Sequence, residues 1–315
     1  YQFVFFLFVW LVFTVGLFFE MRRRLWYHWL GLVVLVFVVL AIFYFAQYKA
    51  IFPSFFLTFF LILPFLPGKA RAKGIVGISV GVFSLLLFVF VVTFFPELKW
   101  GGLIDLLKHP SLLLQTGKVE AFESLLAMYT DKPHTIVFGC GPGAYSSRAY
   151  RTFSPMGIRS RSASNVAGSF VARLTGKEPY ITDVSERYVL PVWYRKEFLQ
   201  GGTTMDSPFI SWFSIPGEVG IFAFVLVLWM YGWMVWMTLK ARAIFHRSGD
   251  GWVSAGALAV YGGVLLLWQQ AIFDNWVEVT RITVLIAGIF FVVFGERKLE
   301  EERMDVYGKG YHIRA

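Results

Sequence analysis

The sequence predicts an all-α, multi-pass membrane protein with seven transmembrane helices and one large, mainly helical extracytoplasmic loop between the fourth and the fifth. Three observations carry this. Of 315 residues, 57% are apolar and 19% aromatic, and the mean hydropathy of +0.63 exceeds that of a soluble domain of this size. Apolar runs long enough to cross hydrocarbon recur along the chain. One polar stretch, Glu97 to Ser207, interrupts them.

The runs are Phe3–Phe19, Trp29–Gln47, Ile51–Pro67, Gly74–Phe95, Val219–Leu239, Trp252–Phe273 and Ile282–Phe294. Each is expected to be helical, because only a helix satisfies its own backbone within lipid. Four regions follow: transmembrane helices at 1–96, a loop domain at 97–207, three further helices at 208–295 and a tail at 296–315 of mixed charge. Orientation comes from the short loops. Arg22, Arg23, Arg24, Lys69, Arg71, Lys73, Lys240, Arg242 and Arg247 fall on one side and only Lys49 and Arg281 on the other. The nine-to-two bias puts the tail in the cytoplasm and the large loop outside. Tyr1 opens inside an apolar run, with no initiator Met and no signal-peptide pattern, so the sequence reads as a fragment. The net charge of +9 is spread over several loops, which argues against nucleic acid as a partner and leaves membrane lipids as the expected surroundings.

Within the loop, Val119, Phe122, Leu126 and Tyr129 recur at helical spacing, Thr116 is placed to cap the run and Asp131-Lys132-Pro133 to end it. The stripe suits either packing on the membrane domain or lying at the lipid interface. Thr135–Phe138 reads as a short β-branched and aromatic segment leading into a Gly-Cys-Gly-Pro-Gly turn at 139–143. Gly139, Gly141 and Gly143 lack the βαβ setting of a nucleotide loop. They either offer backbone N–H groups to an anion, as a nest does, or simply turn the chain. The single cysteine, Cys140, makes no internal disulfide. Its bland role is a small turn residue, and His134 six residues upstream is the nearest base for a catalytic thiol.

After the turn come Arg148, Arg151, Arg159, Arg161 and Arg173, the only charged residues between Pro133 and Lys177. They suit an anionic ligand, or else a basic surface held near anionic headgroups. Further on, Pro208, Pro216 and Gly217 are expected to break the helix, leaving an interfacial piece at Phe209–Ile215 ahead of the fifth span. Asp206 and Glu218 flank that piece. Each has a structural alternative, Asp206 as a helix cap and Glu218 as a favourable charge at a helix start.

Three stretches resemble the O-antigen ligase/polymerase superfamily, integral membrane glycosyltransferases of polysaccharide biosynthesis in the cell envelope. They are GKVEAFESLLAMYTDKP at 117–133, FGCGPGAY at 138–145 and MDSPFISWFSIPGEVGI at 205–221. The first looks like the family's Gly-Arg helix, the second like its glycine turn, and the third like the segment that ends in paired glycines, here Gly217 and Gly220. The resemblance runs from Lys49 through the seventh span and would make this chain the last seven of about twelve spans.

The resemblance implies transfer of a glycan from undecaprenyl diphosphate to a lipid or glycan acceptor, at the outer face of the bacterial cytoplasmic membrane. It implies Lys49, Lys118 and Asp206 at the family's two arginine and one histidine positions, with Asp206 tilting the reading from ligase toward polymerase. No cofactor or metal is expected, since no Asp-x-Asp pair occurs. Arg148 and Arg151 would then neutralise the diphosphate, with Arg159, Arg161, Gly141, Gly143 and Glu218 as further substrate contacts, and Asp206 would be the base. Two other classes stay open. A transporter of small anions would use the same basic vestibule but calls for intramembrane charge, and a non-catalytic assembly subunit would use the loop aromatics Tyr180, Tyr188, Trp193 and Tyr194.

Overall fold

The structure, a computed structural model, describes residues 2–21, 26–45, 51–66, 117–141, 144–146, 182–195, 209–272 and 280–311, with a few positions between 74 and 94. Among these residues there is no strand. The helices are α1 (Gln2–Glu20), α2 (Trp26–Phe45), α3 (Ile51–Ile62, followed by a 3₁₀ turn at Leu63–Phe65), α4 (Lys118–Asp131), α5 (His134–Phe138), α6 (Leu190–Arg195, preceded by a π turn at Ser185–Val189), α7 (Ser211–Ser248), α8 (Gly251–Gln270) and α9 (Thr280–Tyr311). Three of the described helices, α1, α7 and α8, are long and apolar enough to cross a membrane. The apolar stretches in α2 and α3 are shorter, and the expected span at Gly74–Phe95 lies largely outside the described residues.

The chain divides into two compact units. The first comprises 1–100, 231–267 and 280–315. Its centre is α8, whose Ala255, Ala257, Leu258, Ala259 and Val260 are buried. Small residues let neighbours close in on it, as in other membrane bundles. A Cβ on Gly16 would lie 3.1 Å from Ala255, and one on Gly262 would lie 3.3 Å from Val12. Since Gly251 meets Glu20, Ala255 meets Gly16 and Gly263 meets Val9, α1 and α8 are antiparallel. Gly256 meets Val293 and Gly263 meets Ile286, so α9 also runs against α8. Trp233 packs on Phe290, and Arg297 reaches Met237, so α9 and the 231–248 part of α7 are parallel.

Phe8 stacks edge-on to Phe55 at 5.4 Å, while Ile62 reaches Gly262 where Val12 also touches it, so α3 runs with α1. Consecutive parallel helices require the chain between them to come back along the bundle. Between α1 and α3 that return is made by α2, which packs along α1.

One end of this bundle is tied by charge. Glu20, the last residue of α1, accepts from Ser254 Oγ at 2.6 Å and pairs with His246 Nδ1 at 2.9 Å. Arg242 Nη2 lies 3.6 Å away, and the Glu20 and Arg242 side chains are each 9% exposed. A buried ion pair is weak evidence of net stability, but removing one partner strands the other. Arg242 Nε is already buried with no hydrogen-bond partner. The contact also sets the ends of α1 and α7 and the start of α8 at one level, which is where the sequence places two of its basic loops.

The second unit comprises 101–230 and 268–279. Its described core joins Ala121, Leu125 and Met128 of α4 to Tyr145, Val184, Tyr188, Val189, Val192 and Phe209. Here the structure corrects several expectations. The packed face of α4 is Ala121-Leu125-Met128, whereas Val119, Phe122 and Leu126 are exposed. Both sets have helical spacing, and the partners across the core chose the first. The N-cap is Gly117, with φ +78°, and Thr116 lies outside the described residues. The β-branched and aromatic segment Thr135–Phe138 is helical, with Pro133 fixing φ at −57° just ahead of it. The loop aromatic Tyr188 is a core residue, 5% exposed.

Substitution of Glu20 by Leu is expected to destabilise the protein in detergent by about 3–5 kcal/mol, the usual cost of stranding a buried charge. Glu20→Leu combined with Arg242→Met should regain most of that loss. Thermal unfolding of the single and double variants checks this, and equal losses in both would mean the pair does not act as one.

Candidate functional site

The expected break in α7 at Pro216-Gly217 is displaced. Helical geometry continues through Pro216 and is lost at Gly220, whose φ of +81° and ψ of +165° favour a residue without a Cβ. The cause is a backbone approaching from elsewhere. A Cβ on Gly220 would overlap the Val137 carbonyl, and one on Gly139, also at positive φ, would overlap the carbonyl of Glu218. The glycine turn and the broken helix therefore meet backbone to backbone.

Hydrogen bonds account for that meeting. The break takes the carbonyls just ahead of it out of the regular i to i−4 ladder. Cys140 N–H donates to Gly217 O at 3.0 Å and Gly141 N–H to Glu218 O at 3.0 Å. Cys140 Sγ also donates to Gly217 O, and Tyr129 of α4 donates through its hydroxyl to Pro216 O at 3.0 Å. Gly217 has a separate reason to be small, since a Cβ there would lie 2.6 Å from the ring of Tyr145. That ring is fully buried, packs edge-on to Phe209 at 5.6 Å and sends its hydroxyl to Ala121 O at 3.3 Å. Ser146 and Ser214 exchange a buried hydrogen bond at 2.9 Å alongside.

The three stretches at 117–133, 138–145 and 205–221 thus converge wherever they are described. Within them, Lys118 is the first residue of α4 and is half-buried. Glu218 is 6% exposed, two residues before the break. Gly141 corrects its expected use. Its N–H is spent on Glu218 O, as the N–H of Gly139 is on Thr135 O, so the 139–141 backbone is not an open nest for an anion. Lys49, Gly143, Arg148, Arg151, Arg159, Arg161 and Asp206 lie outside the described residues.

The surroundings of Cys140 are those of a structural thiol. Burial first, and the nearby Glu218 carboxylate second, push its pKa from 9.0 up to about 12. Burial likewise raises the Tyr129 hydroxyl to about 12. Away from this contact, the outer rim of the unit is held by ion pairs. Lys132 pairs with Asp183, and Arg187 with Asp131 at 2.8 Å, while Tyr188 donates to the same Asp131 carboxylate at 2.7 Å.

Sequence reasoning missed Tyr145 as the centre of this arrangement and Gly220 as the break. The available signal was a pair of glycine clusters, GCGPG and PGEVG, about 80 residues apart. Two clusters of residues without side chains allow two backbones to touch. No family model, no curated protein and no solved structure matches this chain.

The thiolate is the reactive form of cysteine. A raised pKa keeps Cys140 protonated below pH 9, and the stability this lends is lost as pH rises from 9 toward 12. N-ethylmaleimide at pH 7.5 is expected to leave the folded protein unlabelled and to label it after unfolding in dodecyl sulfate. Rapid labelling of the folded protein at pH 7.5 would contradict this and reopen the catalytic-thiol reading.

Proposed function

We propose that the chain is a membrane glycosyltransferase of the O-antigen ligase and polymerase type. It moves a glycan from undecaprenyl diphosphate to an acceptor hydroxyl, with its polar loop on the outer face of a bacterial cytoplasmic membrane and its carboxyl terminus inside. The observation that supports this reading is the convergence just described. Three stretches up to about 100 residues apart carry the family resemblance, and their described parts share one core and one set of backbone hydrogen bonds.

The chemistry divides among the residues as follows. Departure of a glycosyl group leaves negative charge on the diphosphate, and Arg148 and Arg151 meet it with charge-assisted hydrogen bonds. Arg159 and Arg161 add further charge, and Lys118 at the start of α4 acts as a point donor without the fork of arginine. Asp206 takes the proton of the acceptor hydroxyl as the sugar–phosphate bond breaks, a contribution of typically about 10²–10⁴-fold. Glu218, buried beside the broken helix, positions the 217–220 backbone.

The test is a glycosyltransfer assay in proteoliposomes with a lipid-linked donor. Replacing Arg148 and Arg151 together by Ala is expected to abolish product in a folded, inserted protein, since two contacts of about 1.5–3 kcal/mol each are lost. Asp206→Asn keeps a good cap but no basic carboxylate, so it should lose about 10²-fold or more. Full activity in both variants would overturn the assignment. A wild-type protein that transports small anions, or that binds glycan without transferring it, would replace it with one of the other two classes.

A further inference from the structure

We infer that the outer face of α4 together with α5 is a membrane-docking surface, seated in the interfacial layer of the phospholipid bilayer. The second unit packs one apolar face of α4 into its core and leaves another outside. Val119, Phe122 and Leu126 are 41%, 45% and 47% exposed, and their spacing of three and four residues aligns them on one side of the helix. On α5, Ile136, Val137 and Phe138 are exposed in succession, Phe138 at 75%. Large apolar side chains gathered in one outward-facing region mark an interaction surface rather than scattered exposure.

The occupant follows from what this surface adjoins. Val137 lies against Gly220, and the very next residues of α7, Ile221 and Phe222, are exposed. Phe122 packs on Phe213 at the head of the same helix, 5.6 Å between rings. In the apolar window of α7 only 17% of the residues are buried, which for a spanning helix is a surface meant for acyl chains. The α4–α5 patch thus joins the lipid-facing surface of α7 within one unit. Its polar border fits an interface too. Glu123 and Thr130 are exposed beside the stripe on α4, with Asp131 and Lys132 at its end. With acidic and basic residues mixed there, seating depends on apolar burial rather than on anionic lipid, and interfacial helices of this kind sink about 5–10 Å into the headgroup boundary.

Spin labelling tests this in the full chain. The only cysteine is replaced as Cys140→Ser, and single cysteines are introduced as Phe122→Cys, Leu126→Cys or Phe138→Cys, all at exposed positions. Glu123→Cys and Ala127→Cys serve as controls on the other exposed part of α4. Each protein is labelled with a nitroxide and reconstituted in phosphatidylcholine vesicles. Relaxation by oxygen relative to a water-soluble nickel chelate is expected to be several-fold higher at 122, 126 and 138 than at 123 and 127. Equal ratios at all five sites would place the patch in water and overturn the inference. Labels at 122, 126 and 138 that neither reagent reaches would mean that protein covers the patch, from this chain or a second copy, and would overturn it as well.

Discussion

Two backbones lie against each other at 137–141 and 217–220 with no side chain between them, and the second unit is organised around that contact. It forces Gly220 out of helical geometry, and the carbonyls released by the break are taken up by the N–H groups of Cys140 and Gly141. Neither half is stable alone. Without the turn, the broken helix would bury unpaired carbonyls, at about 1–3 kcal/mol each, and without the break the turn would have nothing to bond. Tyr145 secures the pair from inside, since its ring needs the bare Cα of Gly217 and its hydroxyl reaches back to α4.

That arrangement explains how short, loosely patterned stretches come to share one core. The α4 helix, the glycine turn and the head of α7 each present few chemically active groups. Held together, they set Lys118 and Glu218 on one framework. The glycine turn serves as architecture, because its N–H groups at 139–141 are used internally. The first unit uses a different device. Small residues bring α1 and α9 close to α8, and Glu20 fastens one end with a buried carboxylate.

What was legible in the sequence follows from how local each cause is. Apolar runs announce helices without reference to any partner, so the bounds of α1, α2 and α8 lie within about three residues of those expected, whereas α7 extends well beyond the expected Val219–Leu239 at both ends, and the end of α4 at Asp131-Lys132-Pro133 was readable from the proline. The buried face of α4 was not. Ala121-Leu125-Met128 and Val119-Phe122-Leu126 satisfy the same spacing, and the larger side chains of the second set drew the eye away from the first. The helical state of Thr135–Phe138 was not legible because its residue types prefer strands in general, while Pro133 and the neighbouring backbone decide it here. A break placed at Pro216 reflects the same limit, since a proline acts locally and Gly220 yields to a contact from 80 residues away.

The most direct measurement is hydrogen exchange of the Cys140 and Gly141 amides, resolved to single residues in the reconstituted protein. These amides lie in a turn and have no helical partner, so only the carbonyls of Gly217 and Glu218 protect them. Exchange as slow as that of the Leu125 and Met128 amides in α4 is the predicted result. Exchange at the rate of an open, solvated loop would contradict the backbone contact and with it the assembly of the site.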